Sequence, residues 1–257
     1  MKYTPFLVVI PYLASAAQGR ELEYAIAGWR RHFKEDFLIV LTGENLPHIE
    51  GDDIVLVESK RVPNVDGQYR QHLDYVSCFK KVRQRFPDSQ GFIFVADDCY
   101  AINDFDLVDV LVPKFLERNL GGFHIDSPNG WRVDKAKTRC ALVDGGYPQM
   151  NYTTHLPIWF DWDKIEELWE KYDMLHQSFV IEDLYYNIFE SDISPVDIKA
   201  PNKYKFGVYN NNPSTIDNLH REAKNVIWVT NSPEGWTKLL DEFLSEYYFP
   251  NLIPFAD

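Results

Sequence analysis

Two adjacent acidic residues, Asp97 and Asp98, follow directly on a short apolar run that begins at Gly91. Such a run is typical of a buried parallel strand, and open α/β sheets bind ligands at the carboxyl ends of their strands. Carboxylate oxygens are preferred ligands of Mg²⁺ and Mn²⁺, which also bind diphosphate oxygens. The pair therefore predicts a site for a divalent cation and a diphosphate, the alternative being a solvated strand end or turn.

Strand and helix patterns alternate through the first 104 residues. Apolar runs predict strands over 6–12, 37–42 and 53–58, and residues 19–33 and 68–86 carry apolar side chains at helical spacing. This order predicts a mostly parallel sheet with right-handed crossovers. The sequence has no Gly-x-Gly-x-x-Gly motif there, so a dinucleotide site receives little support.

The second half of the chain has a different texture. A short strand is expected over 121–126, and the next 30 residues, rich in Gly, Pro, Asn and aromatic residues, suggest a substrate-facing surface or a mobile loop. The remaining predicted elements are helices over 161–172 and 178–189, a Pro- and Asn-rich connection over 194–213, a strand over 226–230 and an amphipathic closing helix over 236–248.

Composition limits the class of protein. A formal charge of −13 and a pI near 5.0 argue against a broad surface for nucleic acid or anionic membrane, because both need basic patches. The cysteines are three in number and scattered, which suggests neither a disulfide framework nor a zinc site and fits a reducing compartment. At 257 residues, one α/β domain with one continuous core is the default expectation.

The first 17 residues imitate a secretory signal, with one lysine, a short apolar core and small residues at the end. Pro11 interrupts that core, and the same residues make a good first strand and turn. We therefore interpret them as part of the domain. No apolar run approaches the roughly 20 residues that a membrane span requires.

Three local motifs carry a resemblance to the GT-A-fold glycosyltransferases, which use nucleotide-sugar donors. Val95-Ala-Asp-Asp-Cys-Tyr100 resembles the family's Asp-x-Asp element, and Phe179-Val-Ile-Glu-Asp-Leu-Tyr185 resembles its Glu-Asp motif. Thr153-Thr-His-Leu-Pro157, with Trp228-Val-Thr-Asn231 and 243–250, is weakly similar to bacterial capsule and cell-surface sugar transferases, including the Stealth type that transfers a sugar phosphate.

The resemblance implies a single GT-A-like, Rossmann-like α/β domain over 1–257, with a mostly parallel central sheet flanked by helices. Residues 1–104 would form the nucleotide-donor half. Residues 105–257 would form the acceptor half and the closing C-terminal helix, with the Gly-, Pro- and Asn-rich segment on the acceptor side.

The implied cofactor is Mn²⁺ or Mg²⁺, with one departure from the family pattern. Ala96 stands two positions before Asp98, so the acids are adjacent instead of alternating. Adjacent residues of an extended strand point to opposite faces, so Asp97 and Asp98 can share one ion only if the chain turns there. Asp98 is the expected ligand, with Asp97 as a second ligand or a contact to sugar or ribose. His220 is a candidate for a missing ligand.

The resemblance also suggests a catalytic role for the Glu182-Asp183 pair. In inverting members of the family, the motif's carboxylate removes the proton of the acceptor hydroxyl, which requires hydrogen-bond reach of that group. Asp183 is the candidate base and Glu182 the second choice. Alternatively, both acids stabilise a helix N-terminus, where negative charge is favoured.

His155 and three donor-side residues complete the candidate site. The His155 imidazole would contact the diphosphate or the acceptor, or act as acid or base in a phosphotransferase; a structural histidine is the alternative. Gln18 and Arg20, after the first strand, would face the nucleotide base, and Arg70 would pair with phosphate. For the two arginines the alternative is solvated surface charge.

The sequence thus predicts an enzyme that moves a sugar from a nucleotide-diphosphate sugar to a hydroxyl of a glycan or lipid-linked glycan in surface-polysaccharide synthesis. It is expected to be cytoplasmic, or peripheral to the inner face of the membrane. A sugar-phosphate transferase is one alternative, in which phosphorus is attacked. A non-catalytic binding protein with the same fold is another, favoured by Ala96.

Overall fold

The structure is a computed structural model that describes residues 5–63, 69–209 and 212–250. The elements follow in the order β1 (Phe6–Leu13), α1 (Glu21–His32), β2 (Phe37–Glu44), β3 (Ile54–Glu58), α2 (Gln71–Arg85), β4 (Gly91–Phe94), β5 (Cys99–Ala101), α3 (Leu107–Leu111), β6 (Lys114–Phe115), α4 (Gly130–Asp144), β7 (Ile158–Asp161), α5 (Trp162–Lys171), α6 (Ile181–Phe189), β8 (Val196–Asp197), β9 (Lys205–Val208), α7 (Ile216–Ala223), β10 (Trp228–Asn231), a 3₁₀ turn (Pro233–Gly235) and α8 (Lys238–Tyr248).

The central sheet has the strand order β3-β2-β1-β4-β7. The first four strands run parallel, and β7 pairs antiparallel with β4. Strand order reverses at β1 and β4, and a crevice at the carboxyl ends of such strands is the usual ligand site of an open α/β sheet. The predicted mostly parallel α/β sheet is confirmed.

Both faces of this sheet are buried, which explains the continuous apolar runs of β1 and β4. Alternate residues of β1 enter two different cores: Val9 packs in the core that contains α2, α5 and α6, and Val8 in the core that contains α1. The charges of α1 match the helix dipole, with Glu21 and Glu23 in its first turn and basic residues in its last. No helix of the described part is both long enough and apolar enough to cross a membrane.

A second, three-stranded sheet in the order β5-β10-β9 joins a strand from the middle of the chain to two strands near its C-terminal end. Helices α7 and α8 pack on it through an apolar core that includes Leu219, Leu240 and Phe243. The predicted closing helix is confirmed. The predicted Pro- and Asn-rich connection over 194–213 instead contains β8 and β9. Strands this short carry little periodic signal in the sequence, so the pattern did not predict them.

Two expectations for the middle of the chain are wrong. Residues 121–126 form turns, not a strand. The segment expected to be a substrate-facing surface or a mobile loop contains the 15-residue helix α4, so the loop is not observed. The buried face of α4 carries Asp134, Lys135 and Thr138 beside its apolar residues, which hides the helical period from a hydrophobicity pattern. Asn129 caps the helix by accepting a hydrogen bond from the Arg132 N–H.

A buried ion pair attaches α4 to α6. Lys135 Nζ lies 2.5 Å from Asp183 Oδ2, and both side chains are fully buried. Asp183 Oδ1 also accepts a hydrogen bond from the Tyr152 N–H at 2.7 Å. The expectation that Asp183 is a general base needs correction, because both carboxylate oxygens are engaged inside the core. The alternative holds in part: Glu182 and Asp183 both lie in the first turn of α6, where negative charge is favoured, but Val180 is the N-cap and no side chain caps the helix.

Asp183→Ala is expected to lower the free energy of unfolding by about 3–5 kcal/mol, because it leaves the Lys135 ammonium buried without its counter-charge. Urea denaturation measures the change. Glu242→Ala, which breaks the exposed Lys238–Glu242 pair, is the control and should cost under about 1 kcal/mol. Adding Lys135→Met to Asp183→Ala should recover stability; equal stability of Asp183→Ala and wild type would contradict the role of the pair.

Candidate functional site

The acidic residues Asp97 and Asp98 occupy a turn between β4 and β5. The predicted condition for both carboxylates to act together, a turn at this point, is therefore met. Burial, followed by the negative charges of Asp98 and Glu21, raises the pKa of Asp97 to about 7. Glu21 is held nearby, where it accepts hydrogen bonds from the Asn231 side chain at 2.8 Å and the Gln18 N–H at 2.9 Å. The turn is a concentration of negative charge that a cation would stabilise.

His155 is the histidine that the structure brings to this turn. Its Nδ1 lies 3.1 Å from Asp98 Oδ2, and its side chain is half exposed. Its backbone adopts a φ of +58°, in the left-handed region that costs a non-glycine residue roughly 1–2 kcal/mol. A strained, partly exposed imidazole beside the acidic turn is consistent with the predicted contact to substrate.

His220, the other predicted histidine, lies elsewhere. It sits on α7 against α8, with its Nε2 3.7 Å from Glu246 Oε2 and its ring edge-on to Phe243. The described residues contain no group of three or more His, Cys, Asp or Glu side chains able to hold one metal ion. The expectation that His220 completes a metal site is therefore wrong; it was based on position in the sequence, and packing of α7 against α8 decides otherwise.

The acidic turn nevertheless fits one mode of Mg²⁺ or Mn²⁺ binding. Mg²⁺ is commonly held by one or two carboxylates together with substrate phosphates and waters. Asp98 Oδ1 is buried and has no hydrogen-bond partner among the residues described, and Asp97 beside it carries the raised pKa. Asp97 and Asp98 would hold such an ion, which when bound would neutralise diphosphate charge.

A cavity of about 270 Å³, the first cavity, opens at the carboxyl ends of β1, β2 and β3. Its lining includes Tyr12, Lys60, Arg61, Tyr69 and Asp97. The Arg61 guanidinium lies 4.3 Å from the centre of the Tyr69 ring. The cavity thus offers aromatic faces, which suit a planar base, and charges of both signs: Lys60 and Arg61 face the acids Glu44, Asp74 and Asp97. Arg61 Nε lies 3.8 Å from Asp74 Oδ2, so Lys60 is the basic residue of this lining with no ion pair among the described residues.

The sequence analysis missed Lys60 and Arg61. Both come two or three residues after β3, so the rule that identified Asp97 and Asp98, that ligands bind where parallel strands end, would also have identified them.

None of the three predicted donor residues lines the first cavity. Arg20 bonds to Glu23 at 2.8 Å and lies over the rings of Tyr24 and Phe249. Gln18 is half-buried, and its backbone N–H is used to hold Glu21. These placements do not support the predicted contact of Gln18 and Arg20 side chains with a nucleotide base.

Arg70 has a structural role. It is buried, and its Nη1 donates to Asp134 Oδ1 at 3.1 Å and to the Gly130 carbonyl at 2.9 Å. The ion pair joins the start of α2 to α4. The predicted contact with phosphate is not supported, because the guanidinium is already paired inside the protein.

A second cavity, of about 180 Å³, is lined by Ala96, which directly precedes the acidic turn, and by His155. Gln71 and Tyr75 line both cavities, and the second also includes His72, Trp131 and Glu182 among its walls. It lies below the roughly 300–1,000 Å³ of cavities for drug-sized ligands, so it suits one small polar ring. The wall carries both aromatic faces and polar groups.

Glu182 is the carboxylate of the second acidic pair that a ligand can reach. It is 4% exposed and lines the second cavity. Burial raises its pKa to about 7; neighbouring Asp183 acts in the same direction, and Lys135 and His155 oppose it. The two adjacent acids of this helix turn thus lie in different surroundings: Asp183 is in the core and Glu182 lines a cavity.

A third cavity, of about 240 Å³, continues from the second. The two share Trp131, Thr153 and His155, and the third adds Lys205 and Asn231. Because neighbouring cavities share lining residues, we call the three together the trough. Asp97 of the acidic turn lines its first cavity. His155 stands at the junction of the second and third cavities, beside Asp98.

Known structures with a similar fold are glycosyltransferases. The bifunctional glycosyltransferase WbbM in its apo form aligns over 95% of this chain and 50% of its own, with 12% identity and a TM-score of 0.50. Apo GlyE of Streptococcus pneumoniae TIGR4 aligns over 96% of this chain and 60% of its own, with 15% identity and a TM-score of 0.40. An active-site mutant of LgtC aligns over 97% and 98%, with 12% identity and a TM-score of 0.48.

This chain spans half the length of WbbM and 60% of GlyE. No family model matches the sequence, and no curated protein matches it. At 12% identity the likeness to WbbM shows the fold alone. The chain therefore has the GT-A-like α/β fold that the sequence motifs implied.

Glu182→Gln is expected to change how stability depends on pH. Folded Glu182 keeps its proton up to about pH 7, whereas the unfolded residue loses it near its ordinary value of 4.5. The folded state therefore binds more protons between these values, and raising the pH through this window destabilises wild type. Gln does not titrate, so the variant should gain on the order of 1–3 kcal/mol relative to wild type between pH 5 and 8.

Urea denaturation at pH 5, 6, 7 and 8 measures this difference. The titration of Asp97 is common to both proteins and cancels in the comparison. A stability difference that stays constant from pH 5 to 8 would show that Glu182 is not held protonated by its burial.

Proposed function

We propose that this protein transfers a sugar from a nucleotide-diphosphate sugar to a hydroxyl of a glycan or lipid-linked glycan, in the synthesis of surface polysaccharide. One observation carries the proposal: Asp97 of the acidic turn lines the first cavity, with its tyrosine rings and two basic residues, and the preceding Ala96 lines the smaller second cavity. A nucleotide sugar has the same order of parts, namely a base, a diphosphate and a sugar ring. The fold, shared with known glycosyltransferases, agrees with this proposal.

The first cavity is proposed to receive the nucleoside. Tyr12 and Tyr69 supply ring faces for a base, and Lys60 and Arg61 supply positive charge for the phosphates. Asp97 and Asp98 would hold Mn²⁺ or Mg²⁺ at the diphosphate. These assignments replace those made from sequence for Gln18, Arg20 and Arg70.

The second cavity is proposed to receive the transferred sugar. Trp131 and Tyr75 supply aromatic faces for the apolar side of a sugar ring, and Glu182 supplies a carboxyl group for its hydroxyls. Of the two acids at the start of α6, only Glu182 is in position to contact substrate, since Asp183 is paired with Lys135. The catalytic contact predicted for this motif is therefore assigned to Glu182.

The third cavity is proposed as the entry for the acceptor. His155 lies between this cavity and Asp98, where an acceptor hydroxyl could approach the bond between sugar and phosphate. Lys205 Nζ donates to the Thr154 carbonyl at 2.6 Å, so it holds the backbone next to His155 in place. His155 is accordingly proposed as a contact to acceptor or diphosphate.

Nucleoside diphosphates with Mn²⁺ or Mg²⁺ are expected to raise the melting temperature, because a ligand that binds only the folded state stabilises it, by roughly 2.7 kcal/mol at a hundredfold excess over Kd. UDP, GDP, CDP and dTDP should be compared with and without metal by differential scanning fluorimetry. Asp98→Asn should lose the metal-dependent part of the shift. Asp144→Asn, an exposed aspartate at the end of α4, is the matched control and should retain it. No shift with any of the four nucleotides would contradict the donor site.

A screen of nucleotide sugars should detect transfer or slow hydrolysis, and Glu182→Gln should lower turnover by at least about tenfold while nucleoside diphosphate binding is retained. The products distinguish the alternatives. Release of sugar supports a glycosyltransferase, and release of sugar phosphate indicates a sugar-phosphate transferase. Nucleotide binding without turnover of any donor or acceptor would indicate a binding protein.

A further inference from the structure

Two buried side chains in the wall of the second cavity carry polar atoms without hydrogen-bond partners among the described residues. His72 is 2% exposed and Glu182 4% exposed. Both ring nitrogens of His72 and the Oε2 atom of Glu182 lack partners within the described ranges, and His72 Nδ1 lies 3.6 Å from Glu182 Oε2. Both residues line the second cavity. Buried polar groups are usually hydrogen-bonded, so these unpartnered atoms indicate a position where a ligand would supply the missing hydrogen bonds.

The chemistry of the two groups is complementary. Burial, with a smaller effect of Lys135, lowers the pKa of His72 to about 3, so its imidazole is neutral and one ring nitrogen accepts a hydrogen bond. Burial keeps the proton on Glu182 up to about pH 7, so the carboxyl group can donate one. The Tyr75 ring packs edge-on against the imidazole at 5.6 Å and limits its rotation.

We propose that His72 is a specificity-determining residue, which together with Glu182 binds one hydroxyl group of the sugar in the second cavity. A hydroxyl both donates and accepts, so it can accept from Glu182 and donate to His72 at the same time. A separation of 3.6 Å between the two protein atoms is short enough for one oxygen to contact both. The inference depends on the proposed function in that it takes the occupant to be the sugar of a nucleotide sugar.

A purely structural His72 and a ligand-binding His72 differ in their effect on stability. Replacing an unpaired buried polar group by an apolar group of similar size is nearly neutral or stabilising. Replacing a buried polar group that is hydrogen-bonded within the protein is destabilising, because its partner is left unpaired. His72→Leu is therefore expected to leave the melting temperature of the free protein unchanged or raised at pH 6, where Glu182 keeps its proton. A clear fall in melting temperature would overturn the proposal. Asp183→Ala, which breaks a paired buried group, is the contrasting variant.

Binding measurements test which ligand group is recognised. For the preferred nucleotide sugar, isothermal titration calorimetry with wild type and His72→Leu should show roughly tenfold weaker binding to the variant, with equal binding of the matching nucleoside diphosphate. Deoxy analogues of the sugar then identify the hydroxyl. When the analogue lacks the hydroxyl that His72 contacts, wild type and His72→Leu should bind it with equal affinity. An equal loss for the two proteins at every position would overturn the proposal and point to a buried water. His72→Asn, whose amide oxygen can accept a hydrogen bond near the Nδ1 position, should recover part of the affinity.

Failure of the proposed function is recognised separately. If wild type binds no nucleoside diphosphate, the donor site is rejected, and free methyl hexosides become the probe. The ¹H–¹³C resonance of the His72 ring, assigned by comparison with His72→Leu, should shift on addition of at least one hexoside. The absence of any shift across the common hexosides would then reject the sugar contact of His72 as well.

Discussion

The buried ion pair of Lys135 and Asp183 is the interaction on which the arrangement of the trough depends. Lys135 Nζ also donates to Asn151 Oδ1 at 2.8 Å and to the Thr153 hydroxyl. One ammonium group therefore fixes α6 and the backbone that leads to His155. Removing two charges from water is costly, so such a pair is weak evidence for net stability, but loss of one partner would leave the other uncompensated. The pair thus specifies one arrangement of α4, α6 and the cavity walls between them.

Acidic groups collect along the trough with few compensating contacts inside it. Asp97 and Glu182 both have a pKa raised to about 7, for the same main reason, burial. The basic residues that line the first cavity, Lys60 and Arg61, are exposed, and Arg61 Nε lies 3.8 Å from Asp74 Oδ2. Charged and hydrogen-bonding groups without full compensation thus lie at the positions where a cation, a diphosphate and a sugar are proposed to bind. Such groups are typical of functional sites and are avoided in a core that only stabilises the fold.

The fold by itself does not determine the reaction, because one fold carries many chemistries. The order of features along the trough limits the possible reactions further. Tyrosine rings and basic residues come first, then two carboxylates on a turn, then a small cavity with His72 and Glu182. The chain spans half of WbbM, so the proposals concern this domain and its own cavities.

The sequence alone determined the parallel sheet, the closing helix and the position of Asp97 and Asp98, because these depend on local periodicity and on the rule that ligands bind at strand ends. It also singled out the Glu182-Asp183 pair, but it preferred Asp183 as the base. Only the tertiary structure decided that Asp183 is paired in the core, that Arg70 joins α2 to α4, and that His155 reaches Asp98 while His220 does not. These outcomes depend on packing between elements distant in sequence. Helix α4 was hidden because its buried face is polar, and polar groups become compatible with burial only when other elements supply their partners.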